Sequence, residues 1–314
     1  MPKIELHAHL NGSLTIETIQ KLIKMSNDTN ISVPRMLTCP STMDEVFQLF
    51  PLIQAVTSNY ELVKQATIDV IKDFARENTV YLELRTTPKD RPGFNKESYV
   101  EAVRDGIRAC SDLSIVVRLL LSIDRRQTVE QARETVQMVK NDISGLIVGI
   151  DLSGDPSVDG RKFIPLLEEA KGMGMKLAIH LAEIETCLDE VDDFLALGPD
   201  RIGHGTFLHK ENRWVQKIVE QRIPFEICLT SNVMSMTTKT AADSHFSFWQ
   251  ERGLPVAVCT DDSGLMGTTL TKEYDMALST FSVDLRKIVQ DSLQMSFLDR
   301  NRAEYEKVKQ CMSN

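Results

Sequence analysis

Basic charge is short in this chain: 36 lysines and arginines stand against 45 acidic residues, a formal net charge of -9. No run of Lys or Arg forms a stripe able to neutralise a phosphate backbone, so nucleic acid and anionic membrane are not expected partners. Long apolar runs are missing too. No stretch approaches the ~18 to 20 residues a bilayer span needs, and "MPKIEL" carries no basic leader followed by an apolar run, so a cytoplasmic protein is expected. The six cysteines stand singly, none at CxxC spacing, which excludes a disulfide framework and a thiolate zinc knuckle. Cys228 and Cys259 lie in apolar runs and read as small core fillers. Asn11-Gly12-Ser13 is a glycosylation sequon, discounted in an intracellular chain. Linkers, low-complexity tracts and sequence repeats are also lacking. The economical expectation is one domain over residues 1–314, acting as a monomer.

What the sequence does have is a recurring apolar run. "KIELHAHL" (3–10), "VYLELRTTP" (80–88), "SIVVRLLLSID" (114–124), "LIVGIDLSGD" (146–155), "MKLAIHLAE" (175–183), "DRIGHGTFL" (200–208), "IPFEICLTSN" (223–232) and "LPVAVCTDD" (254–262) make eight. Between them lie segments of helical period, such as 98–113, 128–142 and 163–174. Near-continuous apolar strands alternating with helices fit a parallel sheet buried on both faces, and eight such units predict an α/β fold, the (β/α)₈ TIM barrel. The interval 11–79 is too long for one crossover helix. It predicts two or three helices, including 41–58 and 60–78, and a mobile loop over 27–42, rich in Asn, Ser, Thr and Pro.

Histidine is scarce, six in 314 residues, yet two sit in the first apolar run. Residues two apart on a strand point to one side, so His7 and His9 face the barrel interior together. His180 ends the fifth run, and Asp261 and Asp262 end the eighth. A barrel brings all C-terminal strand ends to one face, where three imidazoles and a carboxylate can surround one divalent ion. Neutral imidazole with carboxylate suits zinc, one ion per chain, with a position left for water. Such an ion lowers the pKa of water from 15.7 to about 7, which makes hydrolysis the natural chemistry. Glu183, three residues past His180, is placed to give or take a proton. His204, between glycines at the end of the sixth run, can accept one from water. Adjacent strand residues point to opposite sides, so Asp262 is expected to bind substrate unless the chain turns there. His209 and His245 fall outside strand ends and are expected to be structural or surface residues.

Together "ELHAHLNGS", "LSGDP", "HLAE", "RIGHGT", "LTSN" and "CTDDSG" resemble the adenosine/AMP deaminase family of metal-dependent hydrolases, over nearly the whole chain and in the family order. The resemblance implies that His7, His9, His180 and Asp261 bind zinc. It implies that Glu183 protonates the purine ring nitrogen beside the attacked carbon, that His204 orients and deprotonates water, and that Gly154 and Asp262 hold other purine nitrogens. "HLNGS", "LELRTTPK", "IDRR", "DLSGDP" and "LTSNV" look like the adenosine deaminase-like branch, which acts on N6-methyl-AMP and yields IMP and methylamine. True adenosine deaminases typically carry Asp at the position of Asn11. Two unit charges ~4 Å apart at an effective dielectric of 20 interact by about 4 kcal/mol, so a neutral Asn11 removes a penalty against phosphate. Thr86, Thr87, Pro88 and Lys89 form a candidate phosphate cradle. By the same resemblance His9, Asp124 and Gln54 contact the nucleotide. Relatives usually have a short segment before the first strand, so a shortened or alternative form is the expectation here. Three alternatives remain at this stage: a nucleoside-level adenosine deaminase, a two-metal amidohydrolase, and an inactive barrel that only binds. The second usually needs a lysine or carboxylate at the end of strand four, where "LIVGIDLSGD" offers no lysine.

Overall fold

The eight apolar runs become eight parallel strands, hydrogen-bonded in chain order: β1 (Lys3–His9), β2 (Thr79–Thr86), β3 (Val116–Asp124), β4 (Ile147–Ser153), β5 (Lys176–Leu181), β6 (Arg201–His204), β7 (Phe225–Ile227) and β8 (Val256–Val258). The computed structural model describes residues 1–26 and 43–313, so the loop expected over 27–42 and Cys39 lie outside the described residues. All eight residues of β2 are buried, as a strand enclosed on both faces requires. The fold is a (β/α)₈ barrel.

The last strands are shorter than their apolar runs. In "IPFEICLTSN" the ladder ends at Ile227, opposite Val258, and residues 229–234 coil into a short helix, α9. Beyond Val258 little of a neighbouring strand remains to pair with, so the amides and carbonyls of this stretch are met locally, for example Asn232 N–H to Cys228 O at 3.0 Å.

Three described helices fill the interval after β1: α1 (Ile16–Ser26), α2 (Met43–Val56) and α3 (Tyr60–Arg76). The outer ring continues with α4 (Lys96–Arg108), α5 (Val129–Lys140), α6 (Ile164–Gly172), α7 (Val191–Leu197), α8 (Asn212–Gln221) and α10 (Phe246–Glu251). α5 shows why such a segment is helical. Thr128 and Gln131 form a reciprocal capping box, and Ala132, Thr135, Val136 and Val139 make one buried stripe. Beyond β8 come α11 (Leu270–Thr280), α12 (Leu285–Met295) and α13 (Ala303–Ser313), which the sequence reading does not assign. The end of α12 plugs the barrel floor: Arg201 donates to Met295 O at 2.9 Å and lies 3.4 Å over the Phe297 ring.

At the opposite end, the chain after β8 is stitched to β1. Asp261 N–H donates to His7 O at 2.8 Å, and His9 N–H donates to Asp261 O at 3.1 Å. This bridge fixes Asp261 between the two histidines of "HAH", although 252 residues separate it from His9.

Candidate active site

Four side chains converge at the mouth of the barrel. His180 Nε2 is 3.0 Å from His7 Nε2 and 3.3 Å from His9 Nε2, and Asp261 Oδ1 is 3.6 Å and 3.4 Å from the same two His atoms. Tetrahedral zinc bonds of about 2.1 Å place neighbouring ligand atoms roughly 3.4 Å apart. Three ring nitrogens and a carboxylate oxygen this close repel one another unless a cation sits among them. Burial, reinforced by Arg85, pushes His7 well below the ordinary imidazole pKa, and burial takes His9 to about 4. Both are therefore neutral with lone pairs to share, and the donor set fits a divalent ion. A second trio, His204, Cys228 and Asp261, also lies within reach of one point. Burial holds the Cys228 thiol well above its usual range, so it supplies no thiolate, and the His/Asp quartet is the better donor set.

Beneath the quartet is a buried charged layer that the sequence reading missed. Glu226 on β7 sits 2.8 Å from His7 Nδ1, which leaves Nε2 as the free nitrogen. Asp151 on β4 lies 3.1 Å from His180 Nδ1, at an angle outside good hydrogen-bond geometry. One guanidinium ties these two carboxylates: Arg85 donates to Asp151 at 2.9 Å, to Glu226, and to Leu6 O at 2.7 Å. Arg201 in turn joins Glu226 to Glu83. Burial raises the pKa of Asp151 and Glu226, but their cationic neighbours outweigh it and hold both below the carboxylate range. A signal was present: Glu83, Arg85, Asp151, Arg201 and Glu226 are charges inside otherwise apolar strands, and a parallel strand tolerates these only when they are paired. Asp151, the carboxylate of β4, is committed through Oδ1 to Arg85 and lies against His180 Nδ1, on the side of that ring away from the Nε2 that faces the quartet.

Glu5 serves the same end in β1. The ladder is irregular between Glu5 and Ala8, and the Glu5 carboxyl accepts from His7 N at 2.7 Å and Thr260 N at 3.0 Å. One amide within the irregular stretch and one beyond the end of β8 are thereby satisfied, and "HAH" is anchored to the segment that carries Asp261.

Three non-glycine residues with left-handed backbone cluster at this mouth: Ala182 (φ 52), His204 (φ 58) and Asp261 (φ 62). Strained residues of this kind persist where the surroundings over-determine them. The turn at Ala182 separates His180 from Glu183. That at Asp261 sends the Asp262 side chain a different way from its neighbour, so the turn considered from sequence is there, after β8 has ended. His204 Nε2 lies 3.8 Å from Glu183 Oε2 and 3.7 Å from Asp261 Oδ2. Glu183 Oε1 is buried without a hydrogen-bond partner, an orphan acceptor beside the cluster. The Asp262 carboxyl packs on Gly12, and burial with the adjacent Asp261 charge pushes its pKa well up.

The "TTPK" side is a second patch of the mouth. Thr86 Oγ1 is 2.7 Å from the buried Tyr99 hydroxyl, which also reaches Asn11. Asn11 Oδ1 is buried and unpartnered. Thr87 is half-buried, Pro88 is buried, and half-buried Lys89 lies near Asp124, Arg91 and Arg126, its pKa lowered chiefly by burial. Arg126 grips Asp124 through Nε at 2.9 Å and through a terminal nitrogen. Gly154 has φ +106, and a Cβ there would fall 2.6 Å from Asp124 Oδ1. Gly154→Ala is accordingly expected to cost about 1–3 kcal/mol, read as a shifted denaturation midpoint. Gln54 is exposed on α2 and takes no part in these contacts.

A (β/α)₈ barrel whose strand ends gather three imidazoles and a carboxylate, with an acid and a further imidazole beside them, is the framework of a metal-dependent hydrolase. A profile of the adenosine deaminase family matches residues 2–309, and the chain belongs to that family and is a hydrolytic deaminase. It is 42% identical over 300 residues to the N6-methyl-AMP deaminase of Danio rerio, covering 90% of this chain and 86% of that one. The human N6-methyl-AMP deaminase is likewise 42% identical over 298 residues, covering 90% and 84%. Among solved structures, the apo N6-methyl-AMP deaminase of Arabidopsis thaliana superposes with a TM-score of 0.92 at 35% identity, covering 100% and 96%. An Arabidopsis ADAL complexed with IMP gives 0.90 at 35%, covering 99% and 96%.

Proposed function

We propose that the chain, as one catalytic domain, hydrolyses N6-methyl-AMP to IMP and methylamine, with one zinc ion held by His7, His9, His180 and Asp261. The observation that carries this reading is the quartet of donor atoms, all within 4.8 Å of one another with His180 and Asp261 each 3.0–3.6 Å from the two β1 imidazoles, beside a Glu183 oxygen that has no hydrogen-bond partner among the described residues. Zinc supplies a Lewis acidity that lowers the pKa of water from 15.7 to about 7. The chain's own residues do the rest. His204 takes the proton of the attacking water and orients its oxygen toward the purine's six-position carbon. Glu183 delivers a proton to the adjacent ring nitrogen, so that the ring accepts the electrons of the new C–O bond. Asp262, its pKa pushed up chiefly by burial, hydrogen-bonds a ring nitrogen, and the Gly154 backbone meets another. The proton held by His204 passes to the exocyclic nitrogen, and as the tetrahedral carbon collapses to a carbonyl its hydroxyl proton returns to Glu183 and methylamine leaves.

Asn11, Thr86, Thr87, Pro88 and Lys89 form the phosphate subsite, with Asp124 at the ribose and Gln54 and His9 as further nucleotide contacts. A neutral Asn11 and a cationic Lys89 favour a 5′-phosphate over a hydroxyl. The three Arabidopsis and vertebrate relatives named for N6-methyl-AMP support the substrate, and the IMP complex of a neighbour is consistent with the product. Among the described residues no helix is long and apolar enough to cross a membrane.

The test is a comparison of adenosine, AMP and N6-methyl-AMP on one preparation. Release of methylamine and IMP with the highest kcat/KM for the methylated nucleotide is expected, and equal or better turnover of adenosine would overturn the substrate assignment. Lys89→Ala is expected to raise KM for the nucleotide by at least ~10-fold, about 1.4 kcal/mol, and leave that for N6-methyladenosine unchanged. An equal loss on both removes Lys89 from the phosphate subsite.

A further inference from the structure

Four of the six histidines meet at the barrel mouth, and the other two both grip the turn that carries one of those four. The turn is "HGT". β6 pairs with β7 only as far as Gly203, and His204 and Gly205 then follow each other in left-handed backbone, φ 58 and 65. The carbonyls of His204 and Thr206 have left the ladder and need donors. His245, just before α10, lies with Nε2 2.7 Å from His204 O. His209 has Nδ1 2.9 Å from Thr206 O. The two rings stack, 6.1 Å between centroids and 8° between planes. Asn232 Nδ2 adds a bond to the Thr206 hydroxyl at 2.9 Å.

We infer that His245, backed by His209, is a positioning residue for deamination: its Nε2–H holds the His204 carbonyl and thereby aims the His204 imidazole at the attacking water. The inference rests on the role proposed for His204. A carbonyl oxygen only accepts, so the proton of His245 must be on Nε2, and Nδ1 is left as a buried, unpartnered nitrogen. His245 is 4% exposed, and burial takes its pKa to about 3, so it acts as a neutral donor. The cost of loosening it is catalytic. A left-handed non-glycine residue such as His204 relaxes toward ordinary backbone when its carbonyl is released, and a displacement of about 1 Å in a catalytic group can cost roughly 100-fold in rate.

The experiment compares His245→Phe and His245→Gln in the zinc-loaded enzyme. Glutamine Nε2 lies as many bonds from Cα as histidine Nε2 does and restores the donor, whereas phenylalanine keeps only the ring. His245→Phe is expected to lower kcat by roughly 10- to 100-fold with KM and zinc content unchanged, and His245→Gln to recover kcat to within about 3-fold of the parent. Parental activity in His245→Phe, or equal impairment of both variants, would overturn the inference. A second readout needs no variant to fold. Long-range ¹H–¹⁵N correlation of the parent enzyme is expected to show His245 as the neutral Nε2–H tautomer, and an Nδ1–H tautomer or a charged ring would also overturn it. Failure of the deaminase reading looks different, since the parent itself would then release no amine.

Discussion

Glu183→Gln is expected to retain one zinc per chain and to lose at least ~100-fold in kcat on N6-methyl-AMP, with little change in KM. Glutamine matches the carboxyl in size and can still donate an N–H to the purine, so binding survives. It has no proton to transfer. Local backbone sets where the residue stands: the left-handed Ala182 swings it off the line of β5, so that Oε2 comes within 3.8 Å of His204 while Oε1 stays buried with no hydrogen-bond partner among the described residues. An orphaned buried carboxyl oxygen of this kind is costly unless a ligand completes it. A fall in kcat and kcat/KM together marks an interaction made in the transition state. Near-parental kcat in this variant would remove Glu183 as the proton donor.

Arg85→Met is expected to have the largest effect on stability. The guanidinium is fully buried and is shared by Asp151 and Glu226, so its loss leaves two buried carboxylates short of a countercharge. Removing one partner of a buried pair typically costs about 3–5 kcal/mol. The same carboxylates lie against His7 Nδ1 and His180 Nδ1, at 2.8 Å and 3.1 Å, and disturbing such outer partners lowers metal affinity by roughly 10- to 100-fold. Denaturant unfolding of the zinc-free protein and competition against a chelator read the two effects separately. Reduced stability with unchanged zinc affinity would show that Arg85 supports the barrel without tuning the ligands.

The barrel was legible because parallel strands are buried on both faces and therefore read as apolar runs, and the site was legible because polar residues interrupt those runs at their ends. His7, His9, His180 and Asp261 stand out for that reason, and the fold brings their donor atoms within 4.8 Å of one another. Pattern does not report pairing inside the barrel. Glu83, Arg85, Asp151, Arg201 and Glu226 look like isolated anomalies along the chain, and their mutual neutralisation exists only after the strands are set side by side. The apolar run overstates the extent of β7 because "CLTSN" is as apolar at its start as a strand, while the ladder that decides its end, Ile227 against Val258, is supplied by a neighbour 31 residues away. His245 and His209 were assigned structural or surface places from sequence, and the local pattern gave no sign of the carbonyls they hold.

Anomalous diffraction at the zinc edge on crystals of the holoenzyme tests the central claim most directly. One peak is expected, about 2.0–2.2 Å from His7 Nε2, His9 Nε2, His180 Nε2 and an Asp261 carboxylate oxygen. A second peak in the barrel mouth, or a single peak held by Cys228 and His204 in place of the β1 histidines, would contradict it.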